Sequence, residues 1–162
     1  MSGNLKILSA VAVCSTVLLG PMIAVTQGQA DTGDNAIATR QGYMKLVVWE
    51  AGPLFGMAKG DIAYDADAAQ THAANLKALY QYPYTGLFLD GTSKADRPGK
   101  TRAKAEIWQD RAKFEQAFAN VQAAVAALAE VAGDGQPALA DAVGGLGKAC
   151  GGCHKSFRAK DF

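Results

Sequence analysis

The sequence predicts an all-α fold of four amphipathic helices around one core. Four stretches place apolar residues at alternating steps of three and four, the spacing of a single buried stripe. The fourth of these stripes takes in Cys150 and Cys153, with His154 directly after them. Size agrees with this: cleavage of a leader after Ala30 leaves residues 31–162, which is 132 residues, enough for one core and too few for two ordinary domains.

Residues 1–30 read as a signal peptide. Lys6 precedes an apolar run over residues 7–25, and the small residues Gly28 and Ala30 stand where a leader peptidase reads. An uncleaved anchor is the competing reading, since the run is nearly long enough to span a bilayer, but Gly20-Pro21 interrupts it. Cys14 follows the bulky Val13, which argues against lipid attachment there. With no twin-Arg pair, export is expected by the general secretory route, with the chain unfolded. The whole chain carries 16 Lys and Arg against 15 Asp and Glu, and loss of Lys6 with the leader balances the two. Such neutrality lacks the basic field that nucleic acid requires and gives no overall charge to steer a redox partner.

The first helix is expected over about 34–57, with Ile37, Gln41, Met44, Val48, Ala51 and Phe55 as its buried stripe, Gly56 and Gly60 at its end, and Pro53 as a possible kink. A second begins near Asp65 or Asp67, both good cap or first-turn acids; it carries Ala69, Ala73, Leu76 and Tyr80 and stops before Pro83. Residues 84–100 form a long connection rich in Gly, Asp, Ser and Pro, which suggests an ordered crossover or a loop laid against a cofactor. The third helix has the stripe Ile107, Arg111, Phe114, Phe118, Val121, Val125 and Leu128 and ends at Gly133-Asp134-Gly135. The fourth opens at Pro137, a favoured first-turn residue, and carries Leu139, Val143, Leu146, Cys150, Cys153 and Phe157.

Cys150-Gly151-Gly152-Cys153-His154 is the attachment motif of a c-type haem: each thiol bonds a vinyl group and the imidazole supplies an axial ligand to iron. A zinc site needs about four ligands, and outside the motif the chain offers only Cys14 and His72. A thioredoxin-like pair belongs with a βαβ pattern that is missing here. A disulfide between Cys three apart on a helix has awkward geometry. Because both cysteines belong to the core stripe, the haem is expected edge-on inside the bundle, a known way for four helices to hold a cofactor. Arg158 lies four residues beyond His154, on the same side if the helix continues. It is then either a fixed cation beside the ligand or a solvated residue of the last turn.

Taken with this motif, three further features resemble the cytochrome c′ family of class II c-type cytochromes over essentially the whole mature chain: Arg158, the segment Arg40-Gln41-Gly42-Tyr43-Met44-Lys45, and the stretch from Gly91-Thr92-Ser93 to Ala105-Glu106-Ile107-Trp108. The resemblance implies an antiparallel bundle, one covalent haem c, a periplasmic location and a homodimer packed through the first two helices. It further implies a cofactor-binding set of Cys150, Cys153, His154, Arg40, Gln41, Met44 and Arg158, with Arg40 near a haem propionate. His154 is the iron ligand, and Met44 faces the opposite side of the iron. Two readings of Met44 remain: a packed residue that gates an open sixth site, which is favoured, or a sixth ligand, as in low-spin relatives. Methionine fills irregular core gaps well.

Trp108, Tyr43, Tyr80 and Phe157 are candidates to line the haem or plain core aromatics. His72 reads as a surface or interface residue. The cations between Lys94 and Lys104 read as a solvated loop face or as a patch that docks an acidic electron donor. Three functions are compatible with these residues. One is one-electron transfer through a weak, transient contact, and another is binding of the gases nitric oxide and carbon monoxide beside Met44. The last is a haem enzyme, ranked below the others because breaking an O–O bond calls for a polar acid/base pair where Met44 and Val48 are expected. The chain is therefore expected not to be an enzyme.

Overall fold

A computed structural model describes residues 31–162; the predicted leader and Cys14 lie outside them. Five α-helices follow in order: α1 (Thr32–Lys59), α2 (Ala66–Leu79), the four-residue α3 (Glu106–Gln109), α4 (Arg111–Val131) and α5 (Gln136–Phe157). The long ones pack α1 on α2 and α5, and α4 on α2 and α5, so α1, α2, α4 and α5 form the expected four-helix bundle.

Local chemistry sets the ends. The Asp31 carboxylate accepts from the Gly33 N–H at 2.7 Å to open α1, and Asp65 does the same for Ala68 at 2.8 Å to open α2. Gly60 closes α1 in the left-handed region at φ 83°, with its N–H on the carbonyls of Gly56 and Met57. The turn is tight: a Cβ on Gly56 would stand 2.6 Å from the Ile62 side chain. Pro53 does not stop α1. Its missing N–H would have bonded the carbonyl of Trp49, a residue on the exposed face.

Two expectations are corrected. The buried residues of α1 are Gly33, Ala36, Ile37, Arg40, Tyr43, Val47, Leu54 and Met57. The stripe is thus rotated by about one residue, roughly 100° of helix, from the one read off the sequence. Gln41 is exposed and Val48 is 69% exposed, while Met44 is half-buried. The third predicted helix is two: Asp110, at φ −135° and ψ 72°, breaks it and caps α4 by accepting from the Lys113 N–H at 3.0 Å. The spacing runs through the break, with only Arg111 charged, because Ile107 and Phe114 on either side of it both face the core.

The stripes of α2, α4 and α5 are as expected. Ala69, Ala73, Leu76, Phe118, Val121, Val125, Leu128, Leu139, Val143 and Leu146 all join one core. At about 25 cal/mol per Å2 of apolar surface removed from water, each large side chain there contributes roughly 1.5–3 kcal/mol. At one end of the bundle the Tyr64 hydroxyl donates to the Ala132 carbonyl at 3.0 Å and accepts from the Gly135 N–H at 2.9 Å, tying the α1–α2 turn to the α4–α5 turn.

The crossover from residue 80 to 105 occupies the other end and is ordered. A 3-10 turn at Tyr84–Leu87 starts it. Asp96 then accepts from both the N–H and the hydroxyl of Ser93. Arg97 bridges Asp31 and Asp34 at 2.9 and 3.0 Å, pinning the loop to the start of α1. Its last residues pair with the C-terminal segment: Ala103 bridges Arg158, and the Lys104 N–H donates to the Phe157 carbonyl at 3.0 Å. A second small core of Ala103, Ile107, Phe114 and Phe157 forms beneath that pairing.

Candidate functional site

The last two turns of α5 place the motif. Cys150 and Cys153 are half-buried free thiols packed against the main core, and Cys153 also touches the second one, so it stands where the two cores meet. Burial pushes both thiols above their ordinary value, which keeps them protonated at neutral pH. His154 is half-buried as well. Desolvation first, then the nearby cations Arg158 and Arg102, hold its pKa below the usual histidine value. A neutral imidazole keeps the lone pair that a metal ligand needs.

Arg158 acts on His154 from an unexpected position. The helix ends at Phe157; Arg158 is the first extended residue, at φ −119° and ψ 125°, with its N–H on the His154 carbonyl at 3.0 Å. The shared-helix-face argument therefore does not hold for Arg158, which is exposed and fixed by its bridge to Ala103.

Arg40 lies at the other side of the site and is 3% exposed. Its guanidinium donates to the Thr92 hydroxyl at 2.9 Å, the Thr92 carbonyl at 2.6 Å and the Thr101 hydroxyl at 2.8 Å. It also lies 4.8 Å from the centre of the Phe88 ring. Desolvation lowers its pKa from the ordinary value, yet arginine stays charged in proteins. All these partners are neutral, and among the described residues no carboxylate reaches it. A buried cation without an anion is costly, so the site is built for one.

Aromatic rings fill the space between Arg40 and the thiols. Tyr43 stacks on Tyr84 at 4.4 Å, Tyr84 on Phe118 at 5.6 Å, and Tyr80 lies 5.5 Å from Phe118. Burial raises the Tyr80 and Tyr84 phenols well above their ordinary value, with the Cys153 sulfur adding to both. Burial likewise raises Tyr43, to about 12. Phe88 meets Trp108 edge-on at 6.1 Å. The Trp108 Nε1 is the one buried side-chain polar atom among the described residues with no hydrogen-bond partner.

The donor set fits a haem. Cys150 and Cys153 supply two thiols, His154 a neutral imidazole and the rings an apolar lining, while Arg40 offers a buried charge without a carboxylate and Trp108 an unpartnered N–H. Met44 packs half-buried on the main core, one turn after Arg40. Gln41 stands apart: it is exposed, and its amide donates to the Lys100 carbonyl at 2.8 Å, bracing the crossover. Trp108 and Phe157 pack in or on the second core that Cys153 touches. His72, on α2, bonds Glu50 of α1 at 2.8 Å.

Sequence reasoning missed Thr92, Thr101, Tyr84, Phe88 and Arg102. All five lay in stretches already singled out, the connection over 84–100 or the stretch from Gly91 to Trp108, but none had been given a role of its own. Nothing local ties any of them to the site, because each is brought in by the path of the crossover. Among the described residues no three His, Cys, Asp or Glu side chains converge as for a metal ion, and no helix is long and apolar enough to cross a membrane.

Known proteins are similar to this chain over most of its length. The family model described as Cytochrome C' covers residues 35–158. Cytochrome c' of Cereibacter sphaeroides is 44% identical over 146 residues, 89% of this chain and 97% of that protein. Cytochrome c' of Halomonas halodenitrificans is 41% identical over 130 residues, 78% of this chain and 98% of that one. Among solved structures, cytochrome c' from Rhodobacter spheriodes superposes with a TM-score of 0.78 at 46% identity, covering 81% of this chain and 99% of that one. A nitric oxide complex of a variant cytochrome c prime from Alcaligenes xylosoxidans gives a TM-score of 0.69 at 29% identity, covering 79% of this chain and 97% of that one.

Proposed function

Since the chain belongs to the cytochrome c′ family, we propose that it is an exported, periplasmic one-electron carrier that also binds nitric oxide and carbon monoxide at a five-coordinate haem iron. The family binds haem c covalently, and Cys150 and Cys153 are the cysteines that meet this requirement here. When bound, the haem supplies a one-electron couple and a coordination site for a neutral diatomic gas.

The chain's own residues do the rest. His154, kept neutral by burial and two cations, would give iron one protein ligand. The buried charge of Arg40 and the unpartnered N–H of Trp108 would hold the haem carboxylates. Met44, half-buried on the main core, would stand as a packed thioether whose flexible, apolar chain would yield to a diatomic and resist larger polar ligands. The observation that carries the reading is the half-buried placement of both thiols and His154 against an apolar, aromatic core. Met44 packs on that core as an apolar residue, which supports a carrier and gas binder ahead of an enzyme. The low-spin alternative puts the Met44 sulfur on iron.

A homodimer through α1 and α2 belongs to the same proposal. Leu46 and Trp49 on α1 are 55% and 73% exposed, large apolar side chains of the kind that mark an interface when they cluster. Beside them a groove of about 720 Å3 runs between α1 and α2, lined by Leu46, Leu79, Tyr82 and Leu87.

Titration of the ferrous protein with carbon monoxide and nitric oxide, followed in the visible spectrum, tests the gas-binding reading. A saturable one-to-one shift is expected. No change at millimolar gas would rule it out.

A further inference from the structure

The chain is close to neutral overall, but its charge is not even along the bundle. At the end that carries the motif, segments 94–104 and 155–161 hold eight Lys and Arg against Asp96 and Asp161. Three of these cations are neutralised: Lys94 by Asp161, Arg97 by Asp31 and Asp34, and Lys100 by Asp34. Among the described residues the other five have no carboxylate partner. Arg102 donates to the Lys160 carbonyl and stacks 5.1 Å from the Phe162 ring, and Lys104 donates to the Lys155 carbonyl. The remaining three are Lys155, Arg158 and Lys160.

These five lie on two segments that the backbone sews together, through Lys104 N–H to the Phe157 carbonyl at 3.0 Å and Ala159 N–H to the Arg102 carbonyl at 2.8 Å. The far end is the reverse. Segments 61–67 and 130–141, joined through Tyr64, hold six carboxylates and no Lys or Arg. Of the six, only Glu130 has a cation, Lys77 of α2.

We propose that the basic end is the docking face for an acidic redox protein that exchanges one electron with the haem held at Cys150, Cys153 and His154. This rests on the electron-carrier reading above. Charge complementarity selects the partner: five unanswered cations attract a carboxylate-rich face, and the acidic far end repels it, so the molecule turns its haem end toward the partner before contact. A nucleic acid fits less well, because the acidic end and the near-neutral total oppose a polyanion. Access is open too. Gly151 and Gly152 are exposed, and a Cβ on either would meet nothing within 4 Å, so no side chain holds a partner away from the attached cysteines. The exchange is balanced as it stands: the partner loses one electron, ferric iron becomes ferrous, and no bond or proton moves.

The haem-loaded protein with a flavodoxin, a small acidic electron-transfer protein, tests this. Carbodiimide cross-linking, which joins lysines to carboxylates only in contact, followed by peptide mass mapping, is expected to place cross-links on Lys104, Lys155 and Lys160. They should fade above about 0.3 M salt, where the screening length is well under 10 Å. By calorimetry at low salt, the pair Lys104→Glu and Lys160→Glu is expected to weaken binding about tenfold or more. The pair Lys45→Glu and Lys59→Glu makes the same change in net charge elsewhere and should leave binding within about twofold. Cross-links on α1 or α2, equal losses in both pairs, or no binding at low salt would each overturn the proposal. Cross-links at the basic end with no electron passing from the reduced flavodoxin would keep the docking face and overturn the carrier reading instead.

Discussion

Replacing Arg40 with methionine keeps the length of the side chain and removes its charge and all its donors. Three hydrogen bonds go, at 2.6, 2.8 and 2.9 Å, and the Thr92 carbonyl and Thr101 hydroxyl lose the guanidinium. Bonds to a charged group contribute about 1.5–3 kcal/mol each, and a buried acceptor left unmet costs about 1–3 kcal/mol. Relief from burying the cation offsets several kcal/mol of this sum. The net loss expected for Arg40→Met in the haem-loaded protein is about 3 kcal/mol, in the range typical of a broken buried network. In urea, with a slope of about 1.5–2 kcal/mol per molar for a domain of this size, the midpoint should fall by roughly 1.5–2 M. Arg40→Lys supplies one point charge without the fork and should recover less than half of that. A midpoint shift below about 0.5 M for Arg40→Met would refute the view that this guanidinium anchors α1 to the crossover and to the cofactor.

Further outcomes follow from the same geometry. Replacing Cys150 and Cys153 together by Ser should abolish haem staining on a denaturing gel, since no covalent link remains; retained stain would contradict the attachment assignment. Asp31 and Asp96 are held below the ordinary carboxylate value, by hydrogen bonds from the Arg97 side chain and from Ser93 respectively. Each binds its proton more readily in the unfolded chain. Their contribution is therefore present above the ordinary value of 3.8 and lost as pH falls below it. Hydrogen exchange at acid pH should accelerate in residues 91–100 before the α4–α5 pair, and the opposite order would be a failure. Trp49→Glu, at a position 73% exposed, should leave the monomer's stability within about 0.5 kcal/mol and shift sedimentation from dimer to monomer. A dimer unaffected by this charge would move the interface away from α1.

The sequence makes α2, α4 and α5 legible because each has one apolar face and its buried residues repeat without interruption. The α5 stripe even delivers Cys150 and Cys153 to the core, which is why the cofactor was readable before the fold. The register of α1 is another matter. This helix is apolar on two faces: Leu46, Val48 and Trp49 point outward, while Gly33, Ala36 and Arg40 point in. Hydrophobicity then votes for a stripe between the two, which is what placed Gln41 and Val48 inside. Asp110 hides for a related reason, since a cap that leaves the apolar period intact is invisible to a periodicity argument. The partners of Arg40 were beyond reach for a topological reason: Thr92 and Thr101 come from a loop 52 and 61 residues away, and nothing local in a Gly-, Ser- and Pro-rich connection says where it will lie.

The sixth position of the iron is the point on which the functional account turns, and the optical and electron paramagnetic spectra of the purified ferric protein, wild type beside Met44→Leu, address it most directly. The account predicts high-spin signals in both proteins, with Met44 a packed gate rather than a ligand. A low-spin wild type that becomes high-spin in Met44→Leu would contradict it, placing the methionine sulfur on iron and leaving electron transfer without an open site for gas.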